Sequence, residues 1–285
     1  MTTWESADKL IKKEIIREGQ FSNKPTELSV CTIHVANPQS LDLSIEQMKE
    51  NLYSDIIDAD SKKVIVIGDA CSHVDRYIER AIEMMSLNEH SLITVQFPPD
   101  RTRTETIILS LEVTLEKVDF HKRIWEWSLE EKYQTALKYK EKGVELFKAK
   151  RNVDAFHRFS KACKTLITLE PIEETDETMK NILTLKYVLY NNMAECQLIQ
   201  ENYEHTITLC NKVLSKEEKN VKALYRRGVA YGNIKDYEKS VNDLKIVVSI
   251  EPKNKKAQEK FNIFNERWRV SVQGYENIVR KMFKA

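Results

Sequence analysis

The sequence predicts an α+β chain in two parts: a small domain of strands with one helix, then an all-helical repeat solenoid. Three observations predict it. Short β-branched runs closed by Gly or Pro end near residue 120. From His121 onward the apolar residues recur at helical spacing instead. Charge reverses at the same place: residues 1–120 carry 13 Lys and Arg against 21 Asp and Glu, net −8, and residues 121–285 carry 32 against 23, net +9.

The bulk composition fits this reading. Of 285 residues, 41% are hydrophobic and 31% charged, which is too apolar for a disordered chain and too charged for a membrane protein. Six Gly and six Pro are too few for a turn-rich sandwich, a collagen or a Gly-rich phosphate loop. The polar start Met1–Asp8 lacks the apolar stretch of a signal peptide. Five cysteines (Cys31, Cys71, Cys163, Cys196, Cys210) are odd in number and show no C-x-x-C spacing. They are expected to be reduced thiols, mostly in the core of a cytoplasmic protein. No His lies at zinc-ligand spacing from a Cys, so no metal is expected, and no cofactor.

Element by element, residues Leu28–Val35 alternate in part, as a half-buried strand does. Residues Lys63–Gly68 form a β-branched run ended by Gly. Ser91–Phe97 and Thr106–Leu115 are two further strands, the first stopped by Pro98 and Pro99. Between them Val74, Ile78, Ala81, Ile82 and Met85 fall on one face of an amphipathic helix, the one helix expected in this domain. Residues 121–132 read as a linker, with Trp125 and Trp127 as its anchors.

Helical pattern then fills residues 133–285, with breaks near Pro171, Asn202, Lys216–Asn220, Lys235 and Pro252. Three stretches superpose, with Gly143, Ala194 and Gly228 at a common position. Ala194 and Gly228 are 34 residues apart, and Gly143 and Ala194 are 51 apart, which is one period plus a 17-residue insertion containing the acidic run Glu170–Met179. A 34-residue period of this kind is the tetratricopeptide (TPR) signature. The small residue in the first helix of each repeat lets it approach the second, whose facing positions are Ala155, Thr206 and Ser240. Tyr133, Tyr139, Phe147, Phe159, Tyr190 and Tyr225 are expected to pack between helices. Tyr275, Ile278, Val279, Met282 and Phe283 mark a last helix expected to cap the solenoid.

Taken with these repeats, Lys13–Gln20, Met85–Val95 and Leu111–Leu115 make the chain resemble the FKBP-type immunophilins with a C-terminal TPR domain. Gly143–Phe147, Lys222–Ala230 and Arg280–Phe283 are similar to a divergent FKBP-like branch with a degenerate isomerase domain. The resemblance implies an antiparallel FKBP-like sheet over residues 1–120 and three TPR repeats plus a C-terminal helix over 133–285. It also implies two activities that can be checked residue by residue.

The first is peptidyl-prolyl isomerisation, in which a dry aromatic pocket and a backbone N–H stabilise the twisted amide. At the family's pocket positions this chain has Ile78 in place of the Trp floor, Asp75 as the residue presenting the N–H, and Leu111 in place of an aromatic. The short run Asp100–Glu105 replaces a long loop, and residues 40–62 offer no Phe-Asp pair. Loss of so many pocket groups predicts an inactive domain. The second activity is a carboxylate clamp for the C-terminal Glu-Glu-Val-Asp tail of heat-shock protein 90 or 70. The resemblance assigns it to Lys140, Asn192, Lys222 and Arg226, with Val144 standing where the clamp has Asn. The expected function is therefore a co-chaperone or adaptor whose FKBP-like domain contacts a client. The alternatives are a weak prolyl isomerase and a TPR scaffold in a germline RNA-silencing assembly. Neither nucleic acid nor a membrane is an expected partner.

Overall fold

The structure is a computed structural model that describes residues 2–40, 43–98, 106–170 and 177–283. Two expectations fall on other residues: the short run Asp100–Glu105 and most of the acidic insertion, residues 171–176, lie outside the described residues. The chain divides into two compact units, Met1–Trp127 and Ser128–Ala285.

The first unit holds one six-stranded antiparallel sheet in the order β1-β2-β5-β6-β3-β4. Its strands are β1 (Thr3–Glu5), β2 (Ile11–Arg17), β3 (Val30–Ser40), β4 (Ser61–Val66), β5 (His90–Phe97) and β6 (Ile107–Asp119). Burial alternates along β6, so Ile107, Leu109, Leu111, Val113 and Leu115 enter the core while the residues between them face out. Helix α2 (His73–Ile82) lies against β2 and β5 and completes that core with Val74, Ile78, Ala81 and Ile82.

Two elements were not expected. Helix α1 (Ile45–Leu52) makes this a two-helix unit rather than a one-helix unit. It packs Ile45, Met48 and Leu52 against the core, and both of its ends are capped. Ser44 and Gln47 form a reciprocal capping box, and Tyr53 closes it in the left-handed conformation at φ 51°. Strand β1 is three residues long, pairs with β2 and packs one side chain, Trp4, against the core, so it is too short for an apolar pattern to announce it.

Inside the sheet lies a buried ion pair. Lys13 and Glu89, each about 3% exposed, bond to each other. The Lys13 ammonium also donates to the Met84 carbonyl at 3.1 Å, and Glu89 accepts from Ser86 N–H at 2.9 Å and Ser91 Oγ at 2.8 Å. With every charge met, the pair ties the exit of α2 to β2.

The link region Lys122–Trp127 contains a single 3₁₀ turn, Ile124–Glu126. Trp127 is buried, donates Nε1–H to the Lys122 carbonyl at 2.8 Å and meets His121 edge-on. Trp125 is a correction: it is 67% exposed, under the Arg123 guanidinium, and anchors nothing in the core.

The second unit is all-helical: α3 (Leu129–Lys148), α4 (Asn152–Ile167), α5 (Glu177–Ile199), α6 (Tyr203–Leu214), α7 (Val221–Asn233), α8 (Tyr237–Ile250) and α9 (Lys255–Met282). Each helix packs on the next, and α3, α5, α7 and α9 also meet in succession as one layer. The small-residue rule is visible atom by atom. A Cβ on Gly143 would stand 2.6 Å from the Phe159 ring, and one on Gly228 would stand 2.9 Å from Leu244. The two departures from Ala are satisfied locally: Thr206 Oγ1 donates to Asn202 O at 2.9 Å, and Ser240 Oγ donates to Gly228 O at 2.7 Å, across the helix pair. Part of the insertion before repeat two lengthens its first helix, since α5 has 23 residues where α7 has 13.

A last helix caps the solenoid as expected, but not through the residues that marked it. The capping is done by the first half of α9, where Ala257 and Phe264 are buried, Phe261 and Trp268 pack beside them, and Phe264 lies over Gly232. Tyr275, Ile278, Met282 and Phe283, expected as the cap, are 59–87% exposed. A 28-residue helix is longer than the layer it covers, so its far end outruns the solenoid.

Candidate functional site

The sequence points to two surfaces, and their geometry differs. The first is the start of α2. Ser72 caps this helix, and its Oγ accepts the Asp75 N–H at 3.0 Å. The Asp75 side chain, 1% exposed, accepts from Ser54 Oγ, and its other oxygen accepts from the Asp55 N–H at 2.8 Å. Burial pushes the Asp75 carboxyl above its ordinary value, against the pull of those donors. Ile78 and Leu111 are wholly buried and belong to the core. The aromatic rings nearby, His73, Tyr77 and Phe97, contact one another at centroid distances of 4.5–5.7 Å, Tyr77 stacked on Phe97 and His73 tilted or edge-on to both. The N–H that the resemblance assigns to a substrate therefore already has an internal partner.

The second surface is the layer α3-α5-α7. Lys140 stands on α3, Asn192 on α5, and Lys222 and Arg226 one turn apart on α7. Lys140 and Asn192 are half-buried and Lys222 is exposed. Among the described residues none of these three side chains has a hydrogen-bond or ion-pair partner. Val144, one turn beyond Lys140, supplies an apolar side chain and no donor.

Arg226 differs from the other three. Its Nε donates to a Glu195 carboxylate oxygen and its second nitrogen donates to Asn191 Oδ1 at 3.1 Å. Its side chain is 12% exposed and that of Glu195 is 32% exposed. Asn191 and Glu195 are one turn apart on α5, so both partners come from the neighbouring inner helix. Sequence reasoning missed Glu195. Its signal in the sequence is no more than an acid one helical turn after Asn191.

Next to this site Tyr225 is half-buried, and burial, with Glu195 and Glu259 nearby, raises its phenol above the ordinary value. Arg227 turns the other way. It forms a two-point pair with Asp243 at 2.8 Å and donates to Asn211 at 2.7 Å, which bolts α7 to α6 and α8. The thiols are core groups: Cys196 and Cys210 are buried, and burial pushes both up to about 12.

With this geometry in view, comparison with known proteins is direct. Residues 4–120 match the family described as BDBT FKBP like N-terminal, and residues 128–208 match the family described as Bride of doubletime-like, TPR domain. The chain is FKBP-like in its first unit and TPR in its second. It is 28% identical over 295 residues to Protein Bride of doubletime of Drosophila melanogaster, covering 99% of this chain and 98% of that protein. It is also 35% identical over 159 residues to FK506-binding protein-like of Homo sapiens, covering 56% of this chain and 43% of that protein. Among solved structures, the crystal structure of residues 1–211 of CG17282 matches with a TM-score of 0.58 at 25% identity, over 72% of this chain and 96% of that one.

Proposed function

We propose that the protein is an adaptor of the co-chaperone kind. Its TPR unit holds the acidic C-terminal tail of heat-shock protein 90, or 70, and its FKBP-like unit contacts a client protein without catalysing prolyl isomerisation. The observation that carries the first half is the set Lys140, Asn192 and Lys222, placed on three successive inner helices with no partner among the described residues. Two ammonium groups and an amide donor suit a terminal carboxylate and a neighbouring acid. The basic balance of residues 121–285 attracts the same ligand from a distance. Among the described residues the five cysteines form no disulfide and four of them are buried, which suits a reducing cytoplasm.

Calorimetry with a Glu-Glu-Val-Asp peptide tests this. Lys222→Glu should weaken binding at least tenfold while leaving the melting temperature unchanged, because Lys222 is exposed. Unchanged affinity rejects the clamp. Added salt should weaken wild-type binding, since exposed ion pairs are screened.

The second half rests on the Asp75 N–H, already donated to Ser72, and on a floor position filled by the core residue Ile78. A protease-coupled assay on a prolyl tetrapeptide should give the rate of buffer alone. A concentration-dependent acceleration would assign the unit as an isomerase instead.

A further inference from the structure

We infer that Glu195 is the specificity-determining residue of the TPR groove, an internal competitor that keeps Arg226 from the ligand. The inference rests on the clamp reading above. Arg226 has five N–H donors in a fixed fork and one positive charge. Glu195 takes the Nε edge and compensates that charge, and Asn191 takes a further donor. Both partners sit on α5, one turn apart, so the helix itself fixes the spacing that grips the guanidinium. At 12% exposure the Arg226 side chain cannot swing to a second position without leaving both partners.

For a peptide carboxylate the consequence is twofold. It meets an arginine whose charge is already met, and it approaches a fixed carboxylate of its own sign. A clamp of this form discriminates against a tail that depends on the arginine. It retains one that can be held by Lys140, Asn192 and Lys222. Asn192 lies three residues before Glu195 on the same helix, so the open donor and the competing acid are neighbours.

The test is a double-mutant cycle on the full chain, read by calorimetry with the Glu-Glu-Val-Asp peptide. Glu195→Gln keeps the length and one acceptor for Arg226 and removes the charge. Peptide affinity should rise about tenfold, the worth of one freed charge-assisted contact. Arg226→Ala should change wild-type affinity less than threefold, but should cost tenfold or more in the Glu195→Gln background. Glu195→Ala, with a thermal melt, separates release of Arg226 from a change of fold. Unchanged affinity in both Glu195 variants overturns the inference, and so does an Arg226→Ala loss of the same size with or without Glu195. Loss of binding in Lys222→Glu with no response to Glu195 leaves the clamp standing and removes the competitor. Failure of wild type and both Glu195 variants to bind removes both.

Discussion

At the start of α2 the Asp75 N–H is taken by Ser72, and the Asp75 carboxylate is taken by Ser54 and Asp55. Across α3, α5 and α7, Lys140, Asn192 and Lys222 have no partner among the described residues, whereas Arg226 is met by an acid. The contrast follows from how each surface is built. The first sits on one helix start, where Ser72 caps the helix locally and Ser54 and Asp55, some 20 residues earlier, close on the Asp75 carboxylate. The second is distributed over three repeats. Its spacing is imposed by the packing of Gly143 on Phe159 and Gly228 on Leu244, and the acid that meets Arg226 comes from the adjacent repeat.

Substitutions can break or sharpen this contrast. The largest effect is expected at Glu89. Glu89→Ala leaves the Lys13 ammonium buried without its counter-charge and should cost the FKBP-like unit about 3–5 kcal/mol, read as a fall in its denaturant midpoint. The same variant should leave peptide binding by the TPR unit unchanged. A joint loss would end the separation of the two surfaces.

Next is Gly143→Ala. The added methyl meets the fully buried Phe159 ring, 1% exposed. Overpacking of this kind should destabilise the TPR unit by about 1–3 kcal/mol. Peptide affinity should fall with it, because the position of Lys140 depends on the α3-α4 contact. A neutral result would show that α3 can slide without disturbing the groove.

The smallest effect is the pH dependence of Asp58, an exposed carboxyl held down to about 2 by hydrogen bonds from Lys49 and Lys63. A folded value below the unfolded one contributes stability above about 4 and loses it as pH falls toward 2. Asp58→Asn should therefore be slightly less stable than wild type at pH 7 and equal to it at pH 2. A gap that persists at pH 2 would assign the loss to packing rather than charge.

Much of this molecule was legible in its residues. The β-branched runs, the stripe Val74-Ile78-Ala81-Ile82 and the 34-residue recurrence of small residues gave the sheet, α2 and the paired helices, because each is a local period that backbone geometry enforces. Helix α1 and β1 were not legible, since eight and three residues are too few for their core contacts, Ile45, Met48, Leu52 and Trp4, to show as a period. The capping last helix was legible, but not which half of it packs, because a periodic pattern does not say how far its partner extends. The family resemblance assigned Lys140, Asn192, Lys222 and Arg226 to one clamp, and the structure puts them on α3, α5 and α7. Which of them stays open was not legible. That is set by Glu195 reaching Arg226 from 31 residues away, a contact between side chains of two helices that exists only once they are packed.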